Sequence, residues 1–108
     1  MWAMARVELT DLEGLRARGA SVYVPASVVG DAILNGKIAI VEVGEDREFY
    51  EFKRRVRKYL ARKGVEPSRI KHFKVEERSG WIRYALALQE TLEKLILAEE
   101  GAGGAGGG

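Results

Sequence analysis

The chain has 108 residues, 31% of them charged, a formal net charge of +2 and no cysteine. That length holds one modest core, and the missing thiols exclude disulfides, thiolate metal sites and a cysteine nucleophile. One histidine, His72, is too few for a His-based metal site or a Ser-His triad, and no apolar run approaches the roughly 20 residues that span a bilayer.

No leader pattern is evident, so a cytoplasmic location is expected. One Asn and one Gln beside abundant charge suggest a heat-adapted source. The expected organisation is a loose N-terminus over residues 1–5, a single α+β domain over 6–99 and a disordered Gly/Ala tail over 100–108.

In chain order, Val7 to Leu9 reads as a short strand. Thr10-Asp11-Leu12-Glu13 has the capping-box pattern and predicts a short helix from Asp11 to about Arg18, ending at Gly19. Ser21 to Val24 reads as a strand stopped by Pro25. Residues 26–34 (ASVVGDAIL) fit either a helix closed by Asn35-Gly36 or a strand running into that pair as a hairpin turn. The apolar side made by Val28, Val29, Ile33 and Leu34 favours the helix, although Gly30 weakens it. Lys37 to Val43 (KIAIVEV) is the clearest strand. Asp46 opens the longest helix, to about Lys63, with Phe49, Phe52, Val56, Tyr59 and Leu60 on one stripe. Ile70 to Glu77 and Trp81 to Leu88 flank Arg78-Ser79-Gly80 as a hairpin. A last helix from about Gln89 to Glu99 carries Leu92, Leu95 and Ile96. The whole predicts an α+β fold: a small, mostly antiparallel sheet of three to five strands covered by helices.

Charge is unevenly distributed. Residues 47–83 contain 13 Lys/Arg against 5 Asp/Glu, net +8, and the rest of the chain is net −6. Seven of the eleven residues from Lys53 to Lys63 are basic and none is acidic. Like charges three and four apart on a helix repel, so a helix selected for stability alone would interleave Glu. Phosphate binding accounts for such a run; the plain alternative is a solvated face paired with nearby acids. By angle, Tyr50, Arg54 and Arg57 share one side of this helix, while Arg55, Lys58 and Arg62 spread across its back. By alternation, Ile82, Tyr84, Leu86 and Leu88 should face the core. Trp81 and Arg83 would then lie outward beside Ala85 and Ala87, with Phe73 and Val75 inward on the neighbouring strand and His72 and Lys74 outward. A ring beside cations on an open sheet face suits base stacking; alternatively Trp81 closes a sheet edge or meets another subunit. The candidate nucleic-acid contacts are therefore Tyr50, Arg54, Arg57, Lys58, Arg62, Lys71, Lys74, Trp81 and Arg83. Leu92, Leu95 and Ile96 form a short zipper-like seam for a homodimer or larger homo-oligomer.

Dinucleotide and P-loop patterns are absent. The carboxylate pairs Glu76-Glu77 and Glu99-Glu100 point apart or sit at a fraying helix end. The expectation is a protein that is not an enzyme and has no cofactor, metal or small-molecule substrate.

KRRVRKYLARKG (53–64) and SGWIRYALALQETLEKLIL (79–97), set in a small sheet under helices, resemble the ThermoDBP-related archaeal single-stranded DNA-binding proteins in organisation over roughly Lys37 to Ala98. That resemblance implies single-stranded DNA or RNA held in a basic-rimmed cleft, and oligomerisation. The strand-helix-hairpin order also loosely resembles the Alba-type duplex-binding chromatin proteins. This chain lacks their Gly-Lys-Lys-type loop. A protein–protein adaptor using the Leu-rich helix is the remaining alternative.

Overall fold

The computed structural model of the chain describes residues 4–10 and 21–94. The helix expected from Asp11 to Arg18, the interface residues Leu95 and Ile96, and the Gly/Ala tail fall outside the described residues. Five strands alternate with two main helices: β1 (Met4–Thr10), β2 (Val22–Pro25), α1 (Ala26–Leu34), β3 (Ile38–Val43), α2 (Asp46–Arg62), β4 (Ile70–Arg78) and β5 (Trp81–Leu88), with a 3₁₀ turn at Pro67–Arg69 before β4. Residues 89–94 are helical. The strands form one antiparallel sheet in the order β2-β1-β3-β5-β4, so the expected α+β architecture is the observed one. Met4 and Ala5, expected to be loose, begin β1. Their backbones are held by pairing with Pro25 and Val24 of β2.

Local chemistry explains why 26–34 is helical. Gly36 and Gly64 both have positive φ, where a Cβ would be strained. Each is the C′ residue of a Schellman closure. Gly36 N–H donates to the Ile33 carbonyl and Lys37 N–H to that of Ala32, both at 3.0 Å. Gly64 N–H donates likewise to Ala61 and Val65 N–H to Leu60. Asn35-Gly36 is thus a helix stop, not a hairpin turn. Gly30 has a different role. A Cβ there would lie 2.5 Å from Tyr59 Cδ2, so its absence lets α1 and α2 approach closely. Tyr59 Oη and Lys63 Nζ then both donate to Asp31 Oδ1, each at 2.7 Å.

Both faces of the sheet are covered, by different means. On one face, Val41, Phe49, Val56, Leu60, Leu86 and their neighbours make the main core beneath α1 and α2. On the other, Ile38, Ile40, Ala85, Ala87 and Leu92 form a second cluster under the segment 89–94. The alanines expected to floor an open platform are therefore fully buried. Small side chains at those positions let a helix lie close to the sheet. Leu92, expected at an interface between chains, packs on its own chain's sheet.

The faces of β4 are the reverse of those expected. Ile70, His72 and Lys74 pair with Leu88, Leu86 and Tyr84, so they share the α2 face. Phe73 pairs with Ala85 on the opposite face, and a bulge at Val75 shifts the register before Glu76. Phe73 and Val75 are consequently exposed. A one-residue change in register exchanges every side chain between faces; here buried Ile70 sets the alternation.

Candidate functional site

The basic run of α2 lies on the solvent side of a strongly amphipathic helix. Phe49, Phe52, Val56 and Leu60 point down, which obliges the residues between them to point out. Asp46 and Glu48 sit in its first turn and Arg62 in its last, complementing the helix dipole at both ends. Arg54, Arg57 and Lys58 surround a shallow depression of about 200 Å³ floored by Ala61 and by Pro67 of the 3₁₀ turn.

What distinguishes this surface is the lack of counter-charge. Elsewhere many cations are matched: Arg6 to Glu42, Lys63 to Asp31, Arg69 to Glu90, Lys74 to Glu77 and Asp46, Arg78 to Glu76, and Arg83 to Glu8. Among the described residues, no carboxylate lies within ion-pairing distance of Arg54, Arg57, Lys58, Arg62 or Lys71. Burial and neighbouring charge act together at Lys53. Partial burial, followed by the charges of Arg57 and Lys71, lowers its pKa from the ordinary lysine value. Lys71 pairs with Ala87 on the sheet face away from α2, so it meets the helix run only around the edge strand β4, where its charge still reaches Lys53.

An aromatic cluster borders the helix run. Phe49 and Tyr84 stack at 3.9 Å between centroids, and His72 meets Phe49 edge-on at 4.9 Å. Half-exposed Tyr50 leans edge-on against His72 at 5.5 Å. Lys53 Nζ and His72 Nδ1 are in hydrogen-bond contact at 2.7 Å; a charged ammonium can only donate, which favours a neutral imidazole with its proton on Nε2. Burial and then the Lys53 charge lower the pKa of His72. Tyr84 donates to Asp46, and burial raises its pKa well above the ordinary tyrosine value. Lys53 and His72 were not among the sequence candidates, yet their part-buried contact joins α2 to β4. The available signal was the alternation from Ile70, which puts His72 on the helix side.

The other candidates lie apart. Lys74 is committed to Glu77 at 2.9 Å and Asp46 at 3.7 Å. Arg83 is largely buried and bonded to Glu8 at 3.0 Å. It belongs to a row of alternating charge running Arg6, Glu42, Arg83, Glu76 across four strands. Trp81 is half-buried and lines a separate cavity of about 220 Å³, with Arg6, Tyr23, Glu42 and Glu48 among its walls. The candidates thus divide into a basic patch with Tyr50, an internal ion pair at Arg83, and a mixed-charge cavity at Trp81.

Among the described residues there is no group of three or more His, Asp or Glu that could hold a metal ion, and no helix long and apolar enough to cross a membrane. Compared with known proteins, the chain matches no family model, no curated protein and no solved structure.

Proposed function

We propose that the protein is a non-catalytic binder of single-stranded nucleic acid, with DNA as the expected ligand and little sequence preference. The observation that supports this most directly is the set of cations at Arg54, Arg57, Lys58, Arg62 and Lys71 without carboxylate partners among the described residues. Holding them together costs self-repulsion, which a bound polyanion relieves while its counterions are released. Tyr50, 52% exposed beside them, offers one ring face to an unstacked base. Arg83 and Lys74 drop out of the binding set because each is ion-paired within the chain. Trp81 drops out because its cavity carries net negative charge. The organisation that resembles the ThermoDBP-related proteins is consistent with this reading, and assembly into a homo-oligomer would raise avidity for a long strand.

The test is fluorescence polarisation of labelled oligo-dT at low salt with micromolar protein. Duplex DNA and oligo-U of equal length run in parallel. A saturable rise with oligo-dT that weakens steeply with salt supports the proposal. Absence of any shift refutes it, and tighter retention of the duplex would favour an Alba-like function instead.

A further inference from the structure

We infer that the cavity at the start of β5 is a docking pocket for an arginine side chain of a partner polypeptide, independent of the nucleic-acid surface. The cavity opens where β1 and β5 begin and β3 ends, near the N-terminus of α2. Its walls include two aromatic rings, Tyr23 and Trp81, and two carboxylates, Glu42 and Glu48. At about 220 Å³ it is smaller than the several-hundred-Å³ sites that take drug-sized ligands. It has room for one planar head group.

Charge decides which head group fits. Arg6 is bonded to Glu42 at 3.3 Å. Glu48 has no cation partner among the described residues. Its Oε1 is held over the end of β3, where a Cβ on Gly44 would lie 3.2 Å away. One positive and two negative side chains leave the pocket net −1, which disfavours phosphate, carboxylate or a nucleotide. A cation is favoured, and the indole and phenol rings add cation–π attraction. The pocket already shows the mode intramolecularly: the Arg6 guanidinium sits 5.7 Å from the centroid of the Tyr23 ring while pairing with Glu42. A second guanidinium on Trp81 and bidentate on Glu48 would repeat it. A lysine ammonium is compact and cannot match both a flat ring and a forked carboxylate.

The experiment uses the full chain carrying Trp2→Phe, so that Trp81 is the sole indole. Trp81 emission and its indole N–H resonance are followed during titration with N-acetyl-arginine amide, the neutral N-acetyl-citrulline amide, and guanosine. The expected result is a saturable response to the arginine amide and none to the citrulline analogue. Glu48→Gln should weaken it about threefold or more, as for loss of one exposed ion pair. Arg6→Ala should strengthen it, because a competing cation leaves and Glu42 becomes available. A response that is equal for citrulline, tighter for guanosine, absent in both signals, or weakened by Arg6→Ala overturns the inference.

Discussion

Arg83 on β5 donates to Glu8 on β1 across the intervening strand β3, at 3.0 Å, with both side chains largely withdrawn from water. An arginine that reads locally as a phosphate contact is thus part of the sheet's internal electrostatics. Removing Glu8 takes away the carboxylate that pairs with the withdrawn Arg83 guanidinium. Glu8→Ala should lower unfolding free energy by about 3 kcal/mol, whereas an apolar replacement of both residues should recover most of that loss. Chemical denaturation of the two singles and the double measures it. Arg83→Met should leave oligo-dT affinity unchanged, and a large loss there would return Arg83 to the binding surface.

For the helix face the expected signature is a slope. Log affinity for a single strand should fall by about 0.7 per phosphate contact per log unit of salt. Replacing Arg54, Arg57 and Lys58 together by Gln should flatten the line by about two units, against little change for Arg78→Gln, whose charge Glu76 already meets. Tyr50→Ala should cost about 1–3 kcal/mol of affinity without altering the slope. An unchanged slope in the triple variant would remove α2 from the binding surface.

The contact between Gly30 and Tyr59 gives a prediction about stability. Alanine is ordinarily the better helix former by about 1 kcal/mol, but here its Cβ meets Tyr59 at 2.5 Å. Gly30→Ala should therefore destabilise, by about 1–3 kcal/mol. In a Tyr59→Ala background the same substitution should become neutral or stabilising. Thermal melts of the four proteins complete the cycle. The idea fails if the two substitutions are simply additive.

Leu92 is 8% exposed and packs on Ile38, Ile40, Ala85 and Ala87. Leu92→Ala should cost about 2–4 kcal/mol of stability through the cavity it leaves. Sedimentation of the folded variant should give the same mass as the parent. A shift to lower mass would place Leu92 between chains after all.

His72 makes stability depend on pH with a definite sign. Its folded pKa is depressed below the ordinary 6.5, so between those two values the unfolded chain binds more protons than the folded one. Its contribution is fully present above the unfolded value and is lost as pH falls through the folded one. His72→Gln should flatten that part of a plot of melting temperature against pH. A slope that persists unchanged in the variant would assign the effect to groups other than His72.

Most of the described elements were legible in the chain, because their causes are local, although residues 26–34 fitted either a helix or a strand until the closure at Gly36 was in place. Residues 46–62 repeat apolar side chains every three and four positions, Lys37 to Val43 is rich in β-branched residues, and Asn35-Gly36 and Gly64 supply the helix stops. The charge run of α2 was equally legible, since residues between buried ones on a helix must point outward. What faces what was not. The side that each β4 residue takes depends on its pairing with β5 and on the bulge at Val75, which nothing in the local pattern marks. Glu8 stands 75 residues from Arg83, so no spacing rule joins them. Ala85 and Ala87 are small because residues 89–94 lie on them, a packing choice that resembles an open platform until the second layer is in place. Local backbone preference and hydrophobic period belong to short stretches of sequence. Burial and charge pairing belong to residues that only the closed sheet brings together.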